Sequence, residues 1–180
     1  MTEKIGKSIQ FVIGGCRSGK SRYALNWANS KSWEKKFFLA TCQALDHEME
    51  QRIQAHQSER GKDWHTIEEP IQISNAIQEF DHSNTIILID CLTLWISNLL
   101  LSNHSLSDIV HLSDSLIETI HHTSASIICV SNEVGYGIVP DNSIARMFRD
   151  AAGIVNQKMA SCANQVVLTV AGIPQIIKNV

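Results

Sequence analysis

Several features that define large classes of proteins are scarce or missing in this 180-residue sequence. Lysine and arginine number 15 against 18 aspartate and glutamate residues, the net charge is −3, and no basic run is long enough to neutralise a row of nucleic-acid phosphates. We therefore expect no nucleic-acid partner. Proline occurs three times and glycine nine times, and 44% of the residues are hydrophobic, a composition that indicates a folded globular chain.

Close cysteine pairs and long apolar stretches are also missing. The five cysteines lie 26 to 49 positions apart, so none forms the pair typical of zinc sites or redox dithiols. The longest apolar stretch, residues 85–101, contains polar side chains and stops short of the roughly 20 apolar residues that cross a bilayer. The first residues lack a signal-peptide pattern. These absences predict a cytoplasmic protein without a transmembrane segment, and the length predicts one domain over residues 1–180.

Five short apolar segments predict β-strands, at residues 9–13, 37–41, 86–90, 127–131 and 166–170. Each is apolar almost throughout, as is typical of strands covered on both faces. Stretches with helical spacing separate them. The alternation predicts an α/β fold, an open and mostly parallel sheet with helices on both faces. Ligands of such sheets bind beyond the carboxyl ends of the strands.

The clearest motif follows the first predicted strand and matches G-x-x-x-x-G-K-[ST] at every fixed position. Its residues are Gly14, Gly15, Cys16, Arg17, Ser18, Gly19, Lys20 and Ser21. In such a loop the backbone N–H groups point at phosphates, the lysine contacts the β and γ phosphates, and the serine hydroxyl binds Mg²⁺. The motif predicts a nucleoside triphosphate site. The alternative is a glycine-rich structural turn.

Asp90 closes the apolar segment 85–90 and is the candidate second ligand for Mg²⁺. Many strands end in an aspartate that caps the next helix instead, and residues 91–95 are helical in pattern. Both readings stay open from the segment alone.

A helix is predicted over residues 46–61, with Asp46 as its N-cap and Gly61 at its end. Glu48, Arg52 and His56 are four residues apart and share one stripe of this helix. A histidine in such a place is more often structural than catalytic, so spacing alone leaves the role of His56 open.

Taken together, eight blocks of the sequence resemble the bifunctional adenosylcobinamide kinase and adenosylcobinamide-phosphate guanylyltransferase family of cobalamin biosynthesis. In chain order they are GGCRSGKSR, LAT, DHEMEQRIQAH, WHTIEEP, DCLTLW, SNEVGYGIVP, ARMFRDAAGIVNQ and AGIP. The first block occurs in unrelated P-loop kinases, and the later blocks carry the specificity. Cys16 departs from the family pattern, which usually has alanine there.

The resemblance implies a P-loop NTPase-like fold and two reactions at one site. The hydroxyl of the cobinamide aminopropanol arm is phosphorylated by a nucleoside triphosphate, and GTP then donates GMP through a guanylylated histidine. It implies His56 and Lys20 as catalytic residues, with GTP, ATP and Mg²⁺ as nucleotide substrates and metal and adenosylcobinamide as the acceptor. A homo-oligomer such as a trimer is also implied. The implied nucleotide contacts beyond the loop are Ala40, Thr41, Gln57, Ser58, Glu59, Arg60, Glu68 and Asp90.

Two rival functions remain open from the residues themselves. One is a P-loop kinase of another small alcohol that never uses His56. The other is a GTP-dependent switch, although the sequence has no N-K-x-D guanine-reading motif. Glu133 has either a metal or substrate role or a conformational one. Arg146 and Arg149 share a helical face that is either solvated or part of a site or subunit contact.

Overall fold

The computed structural model describes residues 6–43 and 60–180. Within these ranges, seven strands form one sheet in the order β3-β2-β4-β5-β1-β6-β7. Every neighbouring pair is parallel except β6 and β7, which are antiparallel. The strands are β1 (Ile9–Gly14), β2 (Lys35–Ala40), β3 (Trp64–Glu68), β4 (Thr85–Asp90), β5 (Ser126–Asn132), β6 (Gln165–Val170) and β7 (Ile173–Asn179).

Helices cover both faces of this sheet. They are α1 (Lys20–Asn29), α2 (Ile73–Glu79), α3 (Leu92–Leu101), α4 (Leu106–His122) and α5 (Ser143–Cys162). Alternate strand residues enter two separate hydrophobic clusters: Phe11 packs with side chains from α2 to α5, whereas Val12 packs with Ala24 and Leu25 of α1. Because both faces are buried, the central strands are apolar throughout and not alternating.

The fold class predicted from the sequence is confirmed: an open, mostly parallel α/β sheet with helices on both faces. All five predicted strands are present, and β3 and β7 are additional. Both additional strands lie at the sheet edges and are mostly exposed, so they lack a continuous apolar run. Of the helix predicted over residues 46–61, only the last two residues lie in the described part.

Strand order brings the predicted polar residues together at the carboxyl ends of the parallel strands. The carboxyl ends of β1, β4 and β5 are neighbours in the order given above, with β5 between the other two. The residue in the N-cap position of α3 is Cys91 and not Asp90. No helix in the described ranges is both long and apolar enough to cross a membrane.

Candidate nucleotide-binding site

The loop between β1 and α1 has the backbone shape that its glycines require. Gly19 precedes the first residue of α1 with a φ of +94°, a conformation that glycine adopts without steric cost. A Cβ atom on Gly14 would lie 2.4 Å from the carbonyl oxygen of Thr169. Only a shift of the backbone could remove this clash. The folded loop therefore requires glycine at both fixed glycine positions of the motif.

A cavity of about 550 Å³ opens over this loop. It is lined by residues 16–22 and by Asp90, Asn132 and Gly172. The first N–H groups of a helix have no partner within the helix and carry partial positive charge, so the start of α1 favours an anion here. Predicted residues from two distant parts of the chain, Lys20 and Ser21 of the loop and Asp90 at the end of β4, line this one cavity.

Lys20 lines the cavity together with Arg17 and Arg22, and it is only 7% exposed. Its ammonium group donates a hydrogen bond to the carbonyl oxygen of Gly15 at 2.6 Å. Burial lowers the pKa of Lys20 below its ordinary value of 10.5, while Cys91 and Asp90 oppose the shift. A phosphate anion would raise this pKa again, because it favours the charged form. Phosphate binding and the charge of Lys20 are therefore coupled.

The oxygen ligands of the cavity fit a magnesium ion bound together with a nucleotide. Ser21 offers a hydroxyl and Asp90 a carboxylate, and Mg²⁺ prefers oxygen ligands, with water and phosphate completing its shell. In the described ranges no group of three or more His, Cys, Asp or Glu side chains could hold a metal by itself. The phosphates would thus have to supply part of the coordination.

A second group of predicted residues lies at the ends of β2 and β3. Ala40 is in register with Asp90 on one side and with Glu68 on the other. Since β2 and β3 are three and four strands from β1, this group lies about 14 to 19 Å from the phosphate loop along the carboxyl ends of the strands. Thr41 is buried, and its hydroxyl both accepts from the N–H and donates to the carbonyl oxygen of Cys91, each at 2.8 Å. Thr41 thereby fixes the backbone next to Asp90.

Arg60 belongs to this second group and is buried. Its guanidinium carbon lies 3.2 Å from the centre of the Phe38 ring, and its Nη1 donates to the hydroxyl of Thr66 at 3.2 Å. Burial lowers the pKa of Arg60, and the nearby charge of Asp90 opposes this shift. Among the described residues, the Nε atom of Arg60 has no hydrogen-bond partner. The remaining predicted residues, His56, Gln57, Ser58 and Glu59, lie outside the described residues.

Sequence reasoning missed the residues that brace the phosphate loop from β6. The hydroxyls of Ser18 and Thr169 are 2.8 Å apart, and the N–H of Gly172 donates to the carbonyl oxygen of Ser18 at 2.9 Å. Only the pairing of β6 with β1 brings these groups together. The AGIP block at residues 171–174 contains Gly172, but nothing local to this block indicates the contact.

The side chains of Arg146 and Arg149 make hydrogen bonds to the protein and do not only contact solvent. Arg149 donates to the carbonyl oxygen of Gly135 at 2.7 Å, and Arg146 donates to the carbonyl oxygens of Pro140 and Asp141 at 2.9 and 2.7 Å. These bonds fasten the segment 133–142, which follows β5, to helix α5. The arginines thus hold a loop at the carboxyl ends of the strands, where the phosphate cavity lies.

The sheet and the glycine-rich loop define a P-loop nucleotide-binding protein. Solved structures share this fold: a protein from Pyrococcus horikoshii OT3 aligns with a TM-score of 0.62 and 7% identity over 98% of this chain and 88% of its own. The ATPase EscN of the enteropathogenic E. coli type III secretion system aligns with a TM-score of 0.56 and 12% identity over 92% of this chain and 43% of its own. At these identities the likeness concerns the fold alone.

The family is shown by sequence. The model of the cobinamide kinase / cobinamide phosphate guanyltransferase family matches residues 10–177, and the chain belongs to this family. The bifunctional adenosylcobalamin biosynthesis protein CobP of Pseudomonas aeruginosa is 38% identical over 93% of this chain and 96% of its own length. The corresponding protein CobU of Escherichia coli K12 is 37% identical over 93% and 98%. The resemblance and the expectation of a bifunctional kinase and guanylyltransferase are confirmed at the level of the family.

Proposed function

We propose that this protein phosphorylates the aminopropanol hydroxyl of adenosylcobinamide and then transfers GMP from GTP to the resulting phosphate, giving adenosylcobinamide-GDP. One observation carries the proposal: Lys20, Ser21 and Asp90 line a single cavity over the phosphate loop, in a chain that matches the family over residues 10–177.

The kinase step needs positioning and charge neutralisation more than covalent chemistry. Lys20 and the N–H groups of the loop and of the α1 start would hold the β and γ phosphates. Ser21 and Asp90 would hold Mg²⁺, which neutralises charge that develops on the phosphates. The burial of Lys20 strengthens its attraction to phosphate, since fewer water molecules screen it.

For the guanylyl step we propose His56 as the nucleophile, on the strength of the family resemblance. At pH 7 an unperturbed imidazole, with a pKa of about 6.5, is about three-quarters neutral and has a lone pair free for the α-phosphorus. The bond to that phosphorus forms as pyrophosphate leaves with its electron pair, and Lys20 would stabilise the departing charge. A second displacement by cobinamide phosphate then regenerates the histidine.

The second group of residues would contact the guanine nucleotide. A nucleotide whose phosphates lie on Lys20 can extend along the carboxyl ends of the strands toward Ala40 and Thr41, about 14 Å away, and Glu68, about 19 Å away. Arg60, with Gln57, Ser58 and Glu59, is proposed for the same role. We further infer that the protein works in the cytoplasm as a single-domain chain.

The proposal is tested by incubation with GTP labelled at the α-phosphate. We expect base-stable, acid-labile label on the protein together with release of pyrophosphate, because a phosphoramidate has this stability. His56→Ala should lose the label, Lys20→Ala should lose the label and GTP binding, and the exposed His111→Ala should keep both.

Three outcomes would contradict parts of the proposal. Label that survives in His56→Ala would place the nucleophile elsewhere. Cobinamide phosphorylation without any protein label would indicate a simple kinase. Formation of GDP and phosphate without pyrophosphate or corrinoid product would indicate a GTP-hydrolysing switch.

A further inference from the structure

A second cleft, of about 460 Å³, lies beside the phosphate cavity. We call it the acceptor cleft, and we define it by Gly15, Cys16, Glu133, Tyr136, Leu168 and Val170. The two cavities share Cys16, Arg17 and Ser18 of the loop and Ala171. The shared loop backbone means that a molecule in the acceptor cleft lies next to whatever the loop binds.

Glu133 supplies the carboxylate of the acceptor cleft and is fixed to the phosphate loop. Its N–H donates to the carbonyl oxygen of Gly14 at 2.9 Å, so Glu133 lies beside the last residue of β1. Its Oε1 accepts from the N–H of Gly135 at 2.6 Å, which orients the side chain. The second carboxylate oxygen is then the one that can accept a proton or a hydrogen bond from a bound molecule.

Exposed apolar side chains line the acceptor cleft and follow it in the chain. Tyr136 and Val170 line the cleft and are 89% and 58% exposed. Ile138 and Val139, which follow Tyr136 in the sequence, are 96% and 62% exposed. The bonds from Arg146 and Arg149 hold this segment in place, so the exposed side chains form a preset surface. A large apolar surface beside a polar site is typical of a binding site.

We propose that the acceptor cleft binds the corrinoid substrate, with its hydroxyl-bearing arm at Glu133 and the edge of its macrocycle on Tyr136, Ile138 and Val139. This inference rests on the proposed function. Two features of the chemistry fit: the corrin periphery carries methyl groups beside its amide arms, so it can contact apolar side chains and the Tyr136 hydroxyl together, and an alcohol needs a hydrogen-bond acceptor near the γ-phosphate.

Charge argues against the nucleotide as occupant. Both cavities include Arg17, but the acceptor cleft adds only the carboxylate of Glu133, which would repel a triphosphate. The phosphate cavity adds Lys20, Arg22 and the N-terminus of α1 against the single carboxylate of Asp90. An uncharged alcohol meets no such repulsion and can donate to the carboxylate.

The same placement gives Glu133 a role in the first reaction. The hydroxyl oxygen bonds to the γ-phosphorus as the bond from that phosphorus to the bridging oxygen of the nucleoside diphosphate breaks. The diphosphate leaves with the electron pair, and the hydroxyl proton passes to the Glu133 carboxylate and then to water. Proton acceptance of this kind contributes about 100-fold to 10,000-fold in rate.

The experiment measures adenosylcobinamide phosphorylation at saturating nucleotide and, separately, GTP binding by calorimetry. We expect Tyr136→Ser to raise the KM for adenosylcobinamide about tenfold and Glu133→Gln to lower kcat about 100-fold. GTP affinity should stay within about twofold in both. Glutamine keeps an oxygen for the N–H of Gly135, and Tyr136 is exposed, so neither change should unfold the protein. Leu101→Ser and Glu118→Gln, both exposed, are matched controls expected to change neither quantity.

The outcomes separate this inference from the proposed function. If the unaltered protein phosphorylates no adenosylcobinamide with ATP or GTP, the proposed function fails and the inference with it. If it does, and Tyr136→Ser weakens GTP binding but leaves the corrinoid KM unchanged, the cleft holds the nucleotide and the inference is wrong. It is equally wrong if Tyr136→Ser dissociates an oligomer without affecting the corrinoid KM, or if Glu133→Gln keeps full kcat.

Discussion

The shape of the phosphate loop depends on Thr169, a residue far away in the sequence. Its hydroxyl meets that of Ser18, 151 positions earlier, at 2.8 Å, and both oxygens are buried. The carbonyl and hydroxyl oxygens of Thr169 also occupy the space that a Cβ on Gly14 would need. β6 therefore sets how the loop curls, although none of its residues belongs to the motif.

We expect Thr169→Val to weaken GTP binding about tenfold and to lower the free energy of unfolding by about 1–2 kcal/mol, because the buried hydroxyl of Ser18 loses its partner. Thr169→Ser keeps the hydroxyl and should restore GTP affinity to nearly its original value. Calorimetric titration with GTP and urea denaturation measure the two effects. If valine and serine variants bind GTP equally well, the brace has no part in binding.

Which site residues can be predicted depends on whether their partners are local. Lys20 and Ser21 follow from a contiguous motif, and Asp90 follows from its place at the end of an apolar strand. Thr169 and Arg149 carry no such signal, since their contacts exist only once distant elements pair. The roles proposed for Lys20, Ser21 and Asp90 stay predictions until nucleotide binding is measured.

Among the secondary-structure elements, burial decides which strands the sequence reveals. β1, β4 and β5 are central and nearly fully buried, so each is a run of apolar residues. β3 and β7 form the edges, where exposure permits polar residues and even Pro174. An antiparallel partner such as β7 also needs only a tight turn, and the turn at Ala171 and Gly172 lacks the usual asparagine signal.

That turn gives a prediction about stability. Ala171 and Gly172 have φ values of +51° and +82°, which is the pattern of a type I′ turn. An alanine with positive φ costs roughly 1–2 kcal/mol, and asparagine tolerates this conformation far better. We expect Ala171→Asn to raise the free energy of unfolding by about 0.5–1 kcal/mol, measured by urea denaturation. Ser161→Asn, at an exposed position in α5, is a control that should not raise the free energy of unfolding. An Ala171→Asn variant that is less stable than the unaltered protein would refute the argument.

For the whole molecule, β7 is the edge strand of the described sheet with the more exposed apolar side chains. Ile173, Ile176 and Ile177 are 70%, 55% and 56% exposed on this edge strand. An edge strand offers unpaired N–H and C=O groups, and proteins usually guard it with charges, yet β7 has one charged residue, Lys178. We propose that copies of this chain associate through β7, in accord with the homo-oligomer implied by the family resemblance.

Association through this edge would shield the isoleucines and continue the sheet's hydrogen bonding, so one buried lysine on β7 should disrupt it. In sedimentation at micromolar concentration, the unaltered protein should exceed the 20.1 kDa of one chain, and Ile177→Lys should shift it to that mass. Leu101→Lys, a change at a leucine that is even more exposed but lies away from β7, should keep the oligomer. A single 20.1 kDa species for the unaltered protein, or an oligomer that Ile177→Lys leaves intact, would show that β7 is not the contact.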